Sequence, residues 1–397
     1  MLGLCVVLGA VSVLIWLGIT LHPARPWDFQ PVGDDEEPPP APRAWPRVCI
    51  LVPARNESEA LPRTLPALLQ QDYPGSFVVV VIDDRSQDGT ARIAREIAER
   101  LGTKDRLAVI AGAELPQGWV GKVWALEQGA ALARSTYRPK YFLLTDADIR
   151  HVPRSLRRLV AESEQARLVL NSRMARLRCV SRAERLLIPP FIFFFNLLYP
   201  MRQVNDPRSI VAAAAGGCVL VSTAALARAG GFSSIRNRII DDVSLARQVK
   251  GQDAPIQLAL SRREVESLRV YDSLMKIWVM VRRTAFTELR YSWMRLIGSM
   301  IAMTLMFLLP LGWILGSLIY GFFSPWSSAS PWRYLLAAEG FCAWGLMVVV
   351  YRPAICFFAL SRAWVWTLPV AGVLYGAMTV DSAIRHATGL RTGWRDH

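Results

Sequence analysis

Histidine is scarce in this chain. Its 397 residues include four, His22, His151, His386 and His397, and no two have the spacing of a metal site. The six cysteines (Cys5, Cys49, Cys179, Cys218, Cys342, Cys356) contain no C-x-x-C pair. That excludes zinc ribbons and dithiol redox motifs, and the scattered apolar settings suit reduced packing residues of a cytoplasmic compartment. Acidic residues are outnumbered, 32 against 46 Lys and Arg, for a formal net charge of +14. Charge is missing altogether from residues 1–24, while 25–296 carries 40 basic and 29 acidic groups. No recognised nucleic-acid-binding motif accompanies the excess, so anionic lipid or phosphorylated substrates are the better partners.

Hydrophobic residues make up 52% of the chain, and the long apolar runs cluster at its two ends. Leu2 to Leu21 is long enough to span a bilayer as a helix. It lacks the basic start and small-residue cleavage site of a secretory signal. Arg25, Arg43 and Arg47 follow it, which puts the downstream domain in the cytoplasm by the positive-inside rule. Residues 22–46 hold eight prolines and read as an extended linker. Later apolar runs at Ile297–Phe323, Leu335–Val350 and Trp364–Val380 are further span candidates, and the tail at 381–397 is basic. Three spans would carry that tail outside, so one run could instead be re-entrant. Leu186–Pro200 is apolar but short and interrupted by Pro189-Pro190. It is either a core segment or, preferably, a membrane-interface or acceptor-groove element.

Between the apolar ends, residues 47–295 form one domain. Val48–Val52 and Phe77–Ile82 read as β-branched buried strands, with another at Leu107–Ile110. Ala91–Leu101 and Val123–Ala133 have helical spacing, and Ile210–Val221 reads as a strand with a tight turn. This alternation predicts an α/β domain with a parallel sheet and helices on both faces. The domain is organised around Tyr141-Phe-Leu-Leu-Thr-Asp-Ala-Asp-Ile149, a short apolar strand ending in Asp146 and Asp148. Residues i and i+2 share a side on extended backbone, so the two carboxylates are expected to converge and hold a hard divalent cation. His151, nearby, reads as a polar loop residue.

Pro53-Ala-Arg-Asn-Glu57 follows the first strand, and Ile82-Asp-Asp-Arg-Ser-Gln-Asp-Gly-Thr90 follows the second. With Thr145-Asp-Ala-Asp148 they set carboxylates at the C-terminal ends of three parallel strands, where open α/β sheets bind ligands. The three segments resemble the motifs P-x-x-N-E, D-D-x-S-x-D-G-T and D-x-D of family 2 glycosyltransferases, in the same order, over roughly residues 47–245. The resemblance implies a GT-A, Rossmann-like fold and a nucleotide-diphosphate-sugar donor, a UDP-sugar above all. It assigns Asp148 to Mn2+ or Mg2+, and Asp146 to metal or donor. Asp84 would face the base, Pro53, Arg55 and Glu57 would border the nucleoside, and Asp83 and Asp88 would shape the turn.

Leu115-Pro-Gln-Gly-Trp-Val-Gly-Lys-Val-Trp-Ala125 combines a tight loop with Lys122, a point charge suited to phosphate. This stretch, the Gly216-Gly217 turn and Ala229-Gly-Gly-Phe232 are similar to the hopene-associated glycosyltransferases. Gly217 is carried over as a donor-site residue. Asp241-Asp242 opens a run with helical spacing, where a helix cap is the ordinary reading. The family places its catalytic pair there, with Asp242 as the base that deprotonates the acceptor for single, inverting displacement. The family's Q-x-x-R-W motif is degraded to Met280-Val-Arg-Arg-Thr284. Arg283 keeps the arginine and is a candidate diphosphate contact, or belongs to a basic surface patch with Arg282, Arg290 and Arg295. The expected protein is therefore an inverting glycosyltransferase in the bacterial inner membrane, facing the cytoplasm. Its acceptor would be a hydroxylated, hopanoid-type lipid. A polymer synthase, or a scaffold that binds nucleotide-sugars without turnover, are the alternatives.

Overall fold

The computed structural model describes residues 2–29, 31–32, 39–250, 254–323 and 331–389. They form two compact units. One is the α/β unit, residues 30–178 and 201–270, and the other is helical, residues 1–29, 179–200 and 271–396. The segments 179–200 and 271–295, continuous in sequence with the α/β domain, thus cluster with the helices.

The α/β unit contains ten strands: β1 Pro31–Val32, β2 Val48–Ala54, β3 Phe77–Asp83, β4 Leu107–Ala111, β5 Tyr141–Leu144, β6 Ile149–His151, β7 Leu170–Met174, β8 Val219–Ser222, β9 Ile256–Ser261 and β10 Val265–Ser267. Eight form one sheet in the order β1-β9-β7-β8-β5-β2-β3-β4, and β10 pairs with β6 in a separate ribbon. Pairing is parallel except where β8 runs against β5 and β7, and in the β6–β10 ribbon. β2 is buried along its whole length, as a strand covered on both faces must be. Val48, Ile50 and Val52 point to one face, against Leu61, Leu65 and Leu68 of the helix Leu61–Leu69. Each such buried aliphatic side chain contributes about 1.5–3 kcal/mol. On the other face lies the helix Gly121–Thr136, which comes so close at Gly129 that a Cβ would sit 2.7 Å from Ile82 Cδ1.

Register fixes the functional edge. Ala54 pairs with Asp83 and Leu51 with Leu144, so β2, β3 and β5 all release their loops on one side of the sheet. Chain order reverses between β2 and β5, which makes a crevice at their C-terminal ends.

In the helical unit, four helices among the described residues are long and apolar enough to cross a membrane. They are Gly3–Leu21, Trp293–Ile319, Pro331–Phe357 and Arg362–Ala387. The stretch expected at a membrane interface is the helix Arg182–Leu198, started by a capping box between Ser181 and Glu184. Leu187, Ile188, Pro189, Pro190, Ile192 and Phe193 are buried, and Phe194 packs edge-on against Phe307 and Tyr375. One face of the helix thus packs within the helical unit, while Leu198 at its end is exposed. None of the six cysteines is in a disulfide among the described residues. Most of the basic tail, from 390 onward, and linker residues 33–38 lie outside the described residues.

Candidate active site

The crevice between β2 and β5 opens into a narrow cleft, lined among others by Pro53, Lys122, Asp146, Gly216, Asp241 and Asp242. Each arrives by a simple route. Pro53 lies near the end of β2, and Asp146 stands two residues past β5. Asp241 and Asp242 open the helix Asp241–Lys250, whose first-turn N–H groups favour carboxylates.

Lys122 ties the two acidic motifs together. Its Nζ lies 2.8 Å from Asp146 Oδ1 and 3.5 Å from Asp241 Oδ2. Burial would lower its pKa, but Asp146, Asp241 and Asp242 outweigh that and hold the ammonium charged. Asp242 Oδ2 accepts a hydrogen bond from Gly216 N–H at 2.7 Å, and its Oδ1 accepts from Val243 N–H at 2.8 Å. Burial, followed by repulsion from Asp241, still pushes its carboxyl up to about 7 against the opposing charge of Lys122. A carboxylate tuned there is suited to general-base work near neutral pH.

The two aspartates of the Asp146/Asp148 motif do not share one extended backbone. β5 ends at Leu144, and Thr145–Asp148 forms a turn before β6. The carboxylates accordingly face different cations: Asp146 pairs with Lys122, whereas Asp148 Oδ2 accepts from Arg269 Nε at 2.8 Å. Arg269 also reaches Glu57 Oε1, 3.2 Å from its Nη2. Burial raises the Asp148 pKa, with Arg269 opposing and Asp146 adding to the rise. Glu57 is pushed up to about 7, first by burial, with Arg269 opposing and Asp148 and Asp146 reinforcing. Among the described residues no three His, Cys, Asp or Glu side chains converge as a metal cage. Two aspartates with hard oxygens nonetheless suit a magnesium-type ion that draws its other ligands from phosphate and water.

Asp84 is buried, 3.4 Å from Arg55 Nη1. Asp83 and Asp88 shape the turn: Asp83 accepts from Ser86 N–H, and Asp88 from Ser58 and Thr90 N–H. Gly217, expected at the donor, turns away, since a Cβ there would meet Ile149 Cδ1 at 3.1 Å. Gly216 faces the cleft instead, its Cβ position lying 3.2 Å from Lys122 Nζ and 3.3 Å from Asp242 Oδ2. His151, expected in a loop, is buried in β6, with Nε2 2.9 Å from Thr145 Oγ1. Thr145 donates in turn to the Gly217 carbonyl at 2.9 Å, fastening the Asp146 turn to the loop that holds Asp242. Arg283 lies on the helix Leu274–Glu288 of the helical unit. Sequence reading missed Arg269, which is 121 residues from Asp148 and carries no motif of its own.

Residues 49–228 match the sequence profile of glycosyl transferase family 2. The chain is similar to Glycosyltransferase AglE of Haloferax volcanii, 35% identical over 91 residues, or 22% of this chain and 29% of that protein. It is also similar to 4,4'-diaponeurosporenoate glycosyltransferase of Staphylococcus haemolyticus, 33% identical over 104 residues, 26% of this chain and 24% of that one. The chain thus spans under a third of the length of either curated relative. A solved structure of the mannosyltransferase PcManGT from Pyrobaculum calidifontis, in complex with GDP-Man and Mn2+, aligns with 99% of this chain and 100% of its own. The TM-score is 0.52 and the identity 18%, a likeness of fold.

Proposed function

From a chain whose residues 49–228 match the family 2 glycosyltransferase profile, we infer an inverting glycosyltransferase of GT-A fold that moves a sugar from a nucleotide-diphosphate sugar, a UDP-sugar first, to a hydroxylated lipid. One observation carries this reading: Asp242, raised to about 7, shares a cleft with Lys122 and Asp146. A base and charged groups for a diphosphate are thereby brought to one reaction centre.

Asp242 takes the proton of the acceptor hydroxyl as its oxygen attacks the anomeric carbon from the side opposite the leaving group. Gly216 and Val243 N–H groups hold that carboxylate in place. Lys122 keeps Asp242 from rising further and offers its ammonium to the phosphates. Asp84, with Arg55 beside it, is the proposed contact for the base of the nucleotide. Asp146 and Asp148 would hold Mn2+ or Mg2+, which when bound supplies Lewis-acid stabilisation of the departing diphosphate.

Three features support a lipid acceptor in a membrane. Four helices are apolar and long enough to span. Phe232 and Ile235 give the cleft an apolar lining beside Asp242. The second curated relative is named for glycosylating diaponeurosporenoate. The arginines after the first helix favour a cytoplasmic catalytic face, and the hopanoid class of acceptor remains part of the proposal.

The test is nucleoside-diphosphate release by detergent-purified protein from UDP- and GDP-sugars, with Mn2+ or Mg2+, with and without a hopanoid-containing lipid extract. Release that requires extract and metal, and disappears in Asp148→Ala and Asp242→Asn, is expected. Folded protein that releases nothing from any donor refutes the transferase reading. Release without extract refutes the lipid acceptor.

A further inference from the structure

The position of Arg269 is set by backbone pairing. β6 begins at the residue after Asp148, and its partner β10 ends with Ser267 opposite Ile149. One more bond extends the ladder, from Leu268 N–H to the Asp148 carbonyl at 2.9 Å. The next residue is Arg269, so the ribbon delivers its guanidinium to Asp148 and Glu57. Arg269 is the more exposed partner, at 38% against 14% for Asp148 and 22% for Glu57. The cation therefore sits on the solvent side of the carboxylates.

A divalent ion that approaches Asp148 Oδ2 from the side of Arg269 Nε takes that donor's place. Glu57 then remains as a partner of the guanidinium, and losing the charge-assisted bond to Asp148 is costly unless a second anion replaces it. A diphosphate is such an anion, and the planar fork of arginine can pair with it through two donors. The reaction centre thus contains its own counter-ion, one that competes with metal alone but not with metal and nucleotide together.

We propose that Arg269 is an exchangeable counter-ion of Asp148, which gives way to the divalent cation when a nucleoside diphosphate arrives to accept its guanidinium. Resting on the donor and metal sites proposed above, this makes metal and nucleotide binding mutually reinforcing, by the same factor in each direction. Arg269 acts by holding the metal site closed to ions that arrive without donor.

The experiment uses the full chain in detergent. Mn2+ binding is read from the electron paramagnetic resonance signal of the free ion, alone and with saturating UDP or GDP. Nucleotide binding is read by calorimetry. Wild type is expected to bind Mn2+ about 10-fold more tightly with nucleotide than without, the equivalent of roughly 1.4 kcal/mol. Arg269→Gln should bind Mn2+ alone about 10-fold more tightly than wild type and lose most of the enhancement by nucleotide. Arg269→Lys, which keeps the charge, should restore weak binding of Mn2+ alone, and it supplies the comparison if the glutamine variant does not fold.

Unchanged or weaker Mn2+ binding in a folded Arg269→Gln protein overturns the exchange. Asp148→Ala separates the two levels. If it abolishes Mn2+ binding while Arg269→Gln changes nothing, only the exchange fails. If it leaves Mn2+ binding intact, the metal assignment fails and the exchange fails with it.

Discussion

Lys122→Met removes a cation that faces Asp146, Asp241 and Asp242 together. The wild-type carboxyl of Asp242 is held at about 7, with Lys122 the principal influence pulling it down. Lys122 Nζ and Asp242 Oδ2 both lie just over 3 Å from the same point beside Gly216, at 3.2 and 3.3 Å. At a separation of about 5 Å and an effective dielectric of about 20, a pair of unit charges interacts by about 3 kcal/mol, or roughly two pKa units. Lys122 is 19% exposed and divides its charge among three carboxylates. Solvent screening and that sharing leave an effect of about one unit. Without the cation the protonated form of Asp242 is favoured, so the base is deprotonated only at higher pH. The measurement is the pH profile of kcat/KM for diphosphate release, across about pH 6 to 9, with melting temperature as the control for folding. In Lys122→Met the acidic limb should move up by about one unit, so the rate at neutral pH falls about fivefold and is partly recovered in alkali. Lys122→Arg should leave the limb where it is. A uniform loss of rate with an unmoved limb would show that Lys122 serves only the donor, and the electrostatic argument would be wrong.

Three other perturbations test separate parts of the structure. Burial lowers the pKa of His151 to about 4; between that value and the ordinary 6.5 the unfolded chain binds the extra proton, so stability rises with pH and is complete above about 6.5. The His151 contribution should therefore shrink by up to about 3 kcal/mol on acidification from pH 6.5 to 4, read as the difference between wild type and His151→Gln in chemical denaturation at each pH. Arg173 is fully buried, paired with Glu162 and 3.7 Å from Glu264, and Arg173→Met should destabilise the α/β unit by about 3–5 kcal/mol, read as a fall in melting temperature. Gly216→Ala should lower kcat about tenfold with little change in melting temperature, because its Cβ crowds Lys122 and Asp242. Gly217→Ala should do the opposite, since its Cβ meets Ile149 in the core; equal effects of the two would contradict the assignment of Gly216 to the cleft.

The central sheet was legible because β2 and β3 announce themselves. The seven-residue strands Val48–Ala54 and Phe77–Asp83 are continuous apolar runs but for the closing Asp83, a pattern that suits a doubly covered parallel strand. The helix Arg182–Leu198 was harder. An apolar run with two prolines has the composition of an interfacial segment, and the rings it packs against, Phe307, Tyr351 and Tyr375, lie far along the chain. Periodicity reports that a segment wants burial and is silent on what buries it.

The site divides along the same line. Asp146, Asp148, Asp241, Asp242 and Lys122 could each be picked out because a local motif marked them, and the sheet register brings most of them to one cleft. Arrangement between motifs was not local. Alternation on a strand predicts that Asp146 and Asp148 converge, but β5 stops at Leu144 and the turn that follows sends each carboxylate to a different cation. A dense group of carboxylates at one edge of a sheet needs cations of its own before any ligand binds, or repulsion would spread them apart. Lys122 meets that need for Asp146 and the Asp241-Asp242 pair, and Arg269 meets it for Asp148 and Glu57. The acidic motifs thus imply basic partners even where sequence gives no means of choosing them among 46 lysines and arginines. Those partners decide how readily a metal, a phosphate or a proton enters, so the chemistry of this site is set as much by unmarked residues as by the motifs.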